Sequence, residues 1–180
     1  MKTKKKLMDG ARMRRAMHRM AIEIVEKNRG TEDLLIIGIR SRGVPIAERI
    51  ARHIEEIEGT PVSVGILDIT LYRDDLTTIA PQPVVKPTKL PEPIDEKVVV
   101  LVDDVLYTGR TVRAALDALI DFGRPRAVKL AVLVDRGHRE LPIHADVVGK
   151  TIPTDRDEVI KVKLSEMDGE DEVLIQEKAE

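Results

Sequence analysis

The chain has no cysteine and no tryptophan, and its other aromatic residues are one phenylalanine and two tyrosines. Without cysteine there can be no disulfide, no thiolate nucleophile and no thiolate zinc site. With so few aromatics there is little on which the bases of a single-stranded nucleic acid could stack. The four histidines are scattered, and no two of them fall at helical metal-ligand spacing. No apolar run approaches the ~20 residues needed to span a bilayer. The start, MKTKKKLMDGARMRR, is basic but lacks the apolar core and cleavage site of a secretion signal, so the cytoplasm is the expected location. Two phosphate motifs are also missing. Gly38 to Gly43 begins like G-x-x-x-x-G-K-[ST] but runs into Val44-Pro45, and no G-x-G-x-x-G occurs, which argues against nucleoside triphosphatases and NAD enzymes. Internal repeats and low-complexity tracts are absent.

What is present fits one globular domain over residues 1–180, with 42% apolar and 34% charged residues. Net charge is only -2 but is unevenly spread. Lys2, Lys4, Lys5, Lys6, Arg12, Arg14, Arg15 and Arg19 face Asp9 alone near the start, while residues 151–180 hold ten acids against four bases. A basic front end is compatible with a polyanionic partner, and equally with a solvated helix face and a frayed tail.

Apolar residues at Met13, Ala16, Met17, Met20, Ala21 and Ile24 have a helical period. Leu34 to Ile39 reads as a buried strand, and Ile46 to Ile57 as a second amphipathic helix stopped by Gly59. Strands are expected at Val62 to Ile69, Val98 to Val102 and Lys129 to Val134, with a helix over Thr111 to Phe122. Thr70 to Glu96 carries five prolines and reads as a flexible functional excursion. Strands apolar on both faces, alternating with amphipathic helices, predict an α/β fold with a parallel sheet flanked by helices. Beyond Asp135, short β-like pieces (Ala145 to Gly149, Val159 to Leu164, Val173 to Gln176) predict a small cap over the sheet.

Ligands of such sheets bind beyond the carboxyl ends of the strands. There the chain places Arg40-Ser41-Arg42-Gly43, then Asp103-Asp104 with Thr108-Gly109-Arg110-Thr111, then Asp135-Arg136-Gly137-His138-Arg139. In the second of these, Val105, Leu106 and Tyr107 are expected to turn the chain, and Thr108 to Thr111 to open a helix. The free N–H groups and dipole of that helix favour a phosphate. Gly109 lets the backbone approach, and the threonine hydroxyls add donors. The two carboxylates are set back far enough to accept hydrogen bonds from sugar hydroxyls, which describes a 5-phosphoribosyl group.

VVVLVDDVLYTGRT resembles the PRPP-binding motif of type I phosphoribosyltransferases. IGIRSRGVPIA, LDITLYRDDL, GRPRAVKLAVLVDRGHRELPI and GKTIPT extend the likeness over most of residues 7–164. The whole set resembles the family of bifunctional pyrimidine-operon attenuators and uracil phosphoribosyltransferases. The resemblance implies the type I phosphoribosyltransferase fold with a flexible loop at about 70–96 and a hood at about 135–164. It implies that Asp103 and Asp104 hold the ribose hydroxyls, that Thr108, Gly109, Arg110 and Thr111 hold the 5-phosphate with Val105, Leu106 and Tyr107 also among the substrate contacts, and that Ser41, Arg42 and Gly43 form a pyrophosphate loop. Arg73 would reach the pyrophosphate. Asp135 and Arg136 would belong to the hood, and uracil would be read by backbone near Val147 and Val148. The implied reaction is uracil plus PRPP to UMP plus pyrophosphate, with Mg2+ arriving on PRPP and no all-protein metal cage.

The same resemblance implies binding of a pyr operon mRNA hairpin, promoted by UMP or UTP. Arg14, Arg15, His18 and Arg19 on the first helix, with His138, Arg139 and Lys150 in the tail, are the implied RNA contacts. The chain departs from that family at His18, Ile22, His144, Thr151 and Asp155, which remove donors or add negative charge. Two alternatives stay open: a purine or other nucleobase salvage transferase without RNA binding, and a nucleotide-sensing RNA binder without catalysis. A homodimer or homotetramer is implied, and no membrane partner.

Overall fold

The structure is a computed structural model, and it describes residues 1–75 and 84–178. Five parallel strands in the order β3-β2-β4-β5-β6 form the main sheet. They are β2 (Leu34–Ile39), β3 (Ser63–Leu67), β4 (Val98–Leu106), β5 (Ala127–Asp135) and β6 (Val147–Thr151). Because successive side chains of a strand point to opposite faces, each aliphatic run feeds two cores. Leu34, Ile36, Val98, Val100 and Val102 pack on one side, and Leu35, Ile37, Ile39, Val99 and Leu101 on the other.

The first face is covered by α1 (Gly10–Asn28) and α2 (Gly43–Glu58), the second by α3 (Arg110–Ile120). The stripe expected on α1 is buried from Met13 to Val25, and the Asp9 carboxylate caps the helix by accepting the Arg12 N–H at 2.8 Å. Gly59 ends α2 in the left-handed region, at φ 76°.

A second sheet, antiparallel in the order β1-β8-β7, comprises β1 (Lys2–Asp9), β7 (Glu158–Lys163) and β8 (Glu172–Glu177). A short helix, α4 (Ser165–Asp168), joins the last two. The small sheet has no core of its own, since Met8, Ile160, Val162, Val173 and Ile175 join the cluster that holds Met17 and Ile46.

Three expectations change here. The first residues are a strand rather than a frayed tail, and their charge is met inside the molecule. Lys4 pairs with Glu158 at 2.6 Å, and Lys6 with Glu172 at 3.0 Å. Hydrogen bonds from Lys4, and from Lys163 and Lys6, hold the carboxyls of Glu158 and Glu172 below the usual range. Part of the opposite-charge asymmetry of the two chain ends is thus the seam of one sheet. Next, the piece read as part of the cap at Ala145 to Gly149 becomes β6 and extends the main sheet, so β1 and β8 supply the cap's other strands. Finally, Val105 and Leu106 do not turn the chain: they continue β4, paired with Val134 and Asp135, because Leu106 is a buried core residue. The turn begins at Tyr107.

Candidate active site

Residues 40–43 join β2 to α2 through a cis peptide bond between Arg40 and Ser41. Gly43 then lets α2 start against β4, because a Cβ there would lie 2.3 Å from the Val102 carbonyl oxygen. This close approach brings Ser41 and Arg42 beside Asp103 and Asp104. Together with Thr70, Arg73, Val105 and Thr111 they line a cavity of about 420 Å³. A second cavity of about 240 Å³ is lined by Arg73, Asp74, Asp75, Thr108, Arg110 and Thr111. Arg73 and Thr111 line both, so the two spaces are neighbours.

The acid pair is asymmetric. Asp103 is 8% exposed and accepts the Asp104 N–H at 2.9 Å. Burial, and then the adjacent Asp104 carboxyl, push the Asp103 carboxyl well above the usual range. Asp104 is half-buried and accepts the Val105 N–H at 2.8 Å.

Gly109 caps α3 at φ 94°, a conformation suited to glycine, and a Cβ there would crowd Ile143 at 3.3 Å. The N–H groups of Gly109, Thr111 and Val112 find no protein acceptor among the described residues, leaving the helix start free to take an anion. A loop carboxylate already approaches it, with Asp74 accepting from Arg110 at 2.7 Å and lying 3.8 Å from Arg113.

Other expected residues fall elsewhere. The Arg42 guanidinium donates to the Val162 carbonyl at 2.9 Å and to Asp168 at 2.9 Å, fastening the loop to the small sheet. Tyr107 lies under the buried Arg136 guanidinium, 3.9 Å from ring centre, while Arg136 also donates to Thr154 and the Asp155 carbonyl. Asp135 accepts the Gly137 N–H and both hydrogen bonds of a fork from Arg139.

Val147 and Val148 do not line the cavity. Val147 packs in one core, and Val148 packs against the other.

Of the residues expected to face RNA, Arg14, Arg15, His18, Arg19 and Lys150 are exposed. Arg139 and His138 turn inward. Arg139 is consumed by Asp135 and the carbonyls of Tyr107 and Ile143, and His138 meets the Thr154 carbonyl. Their partners are mostly backbone oxygens, which a sequence does not display.

Sequence reasoning placed Arg40 at a strand end without giving it a role and passed over Asp68 and Lys86; all three also line the larger cavity. The Asp68 carboxylate accepts the Thr70 N–H at 2.9 Å, the Thr70 hydroxyl at 2.6 Å and the Lys86 N–H. Burial works against this carboxylate, yet those bonds and the nearby Arg40 hold it below the usual range. It therefore clasps the segment that leaves β3 to the segment that returns. With charge-assisted bonds contributing about 1.5–3 kcal/mol, Asp68→Ala is expected to speed hydrogen exchange at the Thr70 and Lys86 amides at least about tenfold. Mass spectrometry of peptides covering both amides would read this, and unchanged rates would show that the clasp does not hold.

A parallel α/β sheet with an acid pair at one strand end, and beside it a helix start whose first N–H groups have no protein acceptor among the described residues, is the arrangement of a phosphoribosyltransferase. The sequence pattern of the phosphoribosyl transferase domain matches residues 4–166. The chain is 64% identical over 178 residues to the bifunctional protein PyrR of Thermus aquaticus, covering 99% of this chain and 98% of that one. It is 62% identical over 174 residues to the bifunctional protein PyrR of Clostridioides difficile, covering 97% and 98%. The fold is similar to that of the hypoxanthine phosphoribosyltransferase of Trypanosoma cruzi, with TM-score 0.73, 18% identity and 98% of each chain covered. The chain belongs to the phosphoribosyltransferase family and, within it, to the bifunctional PyrR group.

Proposed function

We propose that the protein transfers the 5-phosphoribosyl group of PRPP to uracil, giving UMP and pyrophosphate, and that it also binds a pyr operon mRNA hairpin when a uridine nucleotide is present. The observation that carries the catalytic half is the shared wall. Thr111 and Arg73 border both the cavity of the acid pair and the cavity at the start of α3. A ligand with an anion at each end and hydroxyls between them fits that pair of spaces.

In this reading the N–H groups of Gly109, Thr111 and Val112 take the 5-phosphate. Asp103 and Asp104 accept from the ribose hydroxyls, and Ser41, Gly43 and Arg73 lie at the diphosphate end. A uracil ring nitrogen displaces pyrophosphate at C1 and loses its proton, through an oxocarbenium-like transition state. No covalent nucleophile is required. The half-buried Asp104 carboxyl favours positive charge developing on the sugar, while Arg40, Arg73 and Lys86 favour the leaving diphosphate.

Among the described residues there is no group of three histidines or carboxylates able to hold a metal. Mg2+ would arrive on the oxygens of the diphosphate, and the Asp104 carboxyl at the cavity wall would help to hold it. Bound there, the ion would neutralise charge on the departing group.

No helix among the described residues is long and apolar enough to cross a membrane. We place the protein in the cytoplasm, as a homodimer or homotetramer.

Uracil, PRPP and Mg2+ are expected to yield UMP, with hypoxanthine and adenine neither consumed nor competing. Conversion of a purine in place of uracil would move the chain to salvage chemistry. Filter binding of the hairpin with and without UMP tests the other half.

A further inference from the structure

Away from the active site, a cavity of about 350 Å³ lies between α1 and α2, lined among others by Arg14, Arg49, Arg52, His53, Glu56 and Asp171. Its charges differ in how they are used. Arg49 is fully committed, donating to Glu166 at 2.5 and 2.8 Å and to Asp171 at 2.7 and 3.0 Å. Arg49 is thus shared between two carboxylates within the protein. Arg14 and Arg52, in contrast, are exposed and have no acceptor among the described residues. Arg12 and Arg15, which also act on the Asp9 carboxyl, extend the row of exposed guanidinium groups along α1.

Two histidines bridge the helices beside this cavity. His18 Nδ1 of α1 lies 3.4 Å from His53 Nδ1 of α2, with the rings edge to face at 5.2 Å. The His53 side chain is 17% exposed, and Glu56 approaches it at 3.6 Å. At that separation one Nδ1 donates its N–H and the other lends its lone pair. Burial, His18 and Arg52 all disfavour charge on His53, and only Glu56 favours it. The other charges facing the pair are Arg14 on α1, Arg49 on α2, and Asp171 before β8. A proton taken up here joins two free guanidinium groups in a half-enclosed groove, and it has one free carboxylate to offset it.

We infer that the α1–α2 groove is a proton-linked binding site for the phosphodiester chain of a folded RNA, with Arg14 and His18 on one wall and Arg52 and His53 on the other. The inference rests on the RNA-binding half of the proposed function and adds a second helix to it. Cations set along two helices suit an extended row of phosphates better than a single anion. A bound anion favours protonation of the histidine pair, so by linkage protonation strengthens anion binding. His18, one of the positions where the chain departs from the family pattern, supplies the imidazole that meets His53.

Affinity for the hairpin, measured with UMP present at about pH 6 and about pH 8 and over a range of salt, tests this. Wild type is expected to bind about tenfold tighter at the lower pH. His53→Gln is expected to flatten that difference. Arg52→Gln is expected to weaken binding at both pH values and to make the slope of log K against log salt shallower by about one. Arg124→Gln, another exposed arginine, is expected to bind as wild type does, and circular dichroism confirms that each variant folds. Wild-type affinity and pH profile in both Arg52→Gln and His53→Gln, with loss of binding in Arg15→Gln, would overturn the two-walled site while leaving RNA binding by α1 in place. No binding by wild type at either pH would overturn both.

Discussion

Asp104→Asn is expected to lower kcat/KM for UMP synthesis about a hundredfold, whereas Asp103→Asn is expected to raise the melting temperature at neutral pH. A hydrogen bond to a charged group contributes about 1.5–3 kcal/mol, which is about 10- to 150-fold in an equilibrium or rate. The half-buried Asp104 faces the cavity where that loss would be felt. Asp103 carries the burial, and its carboxyl is displaced upward by desolvation first and by Asp104 second.

The sign for stability follows from proton counting. Above the ordinary carboxyl pKa of 3.8 the unfolded chain has lost this proton while the folded chain keeps it. Stability therefore falls as pH rises from that value toward the raised folded pKa, and stays low beyond it. Asparagine has no proton to lose there, and its carbonyl can still accept the Asp104 N–H. Melting curves from about pH 4 to 9 should show wild type declining relative to Asp103→Asn. Parallel curves would mean that the buried carboxyl is not destabilising, and full activity in Asp104→Asn would remove the acid pair from the reaction.

Gly43→Ala is expected to cost about 3 kcal/mol of stability, read as a lower urea midpoint. The added methyl would meet the Val102 carbonyl oxygen at 2.3 Å and the Asp103 Cα at 3.3 Å. Both are main-chain atoms of a central strand, so α2 rather than β4 must give way. Because residues 41–43 lead into α2, the displacement would also carry the diphosphate end of the cavity away from the acid pair. An unchanged midpoint would show that the helix is not seated where the structure puts it.

Much of this was legible in the chain because its signals are local. Continuous aliphatic runs at Leu34 to Ile39 and Val98 to Val102 could only be strands buried on both faces, and the glycines after them located the turns. The Thr108 to Thr111 stretch announced a helix start within four residues. What escaped depends on partners far away in sequence. β1 has almost no apolar pattern, and its side chains are matched by Glu158 and Glu172, more than a hundred and fifty residues along. Asp68 gains its meaning only when Lys86 returns beside it. Arg139 reads as surface charge until the carbonyls it binds are in place. The RNA-facing positions on α1 were readable as charge, but His53 and Arg52 were hidden in what looked like an ordinary amphipathic helix.

The small sheet also sets the first and last strands side by side. Lys2 lies opposite Glu177 on neighbouring antiparallel strands, a separation of about 5 Å that a two-residue hairpin turn, put in place of residues 178–180 and 1, could bridge. Such a ligation would close the backbone into a ring, and a new opening at the exposed Gly59-Thr60 corner would yield a permuted chain in which the former first and last strands become one continuous hairpin.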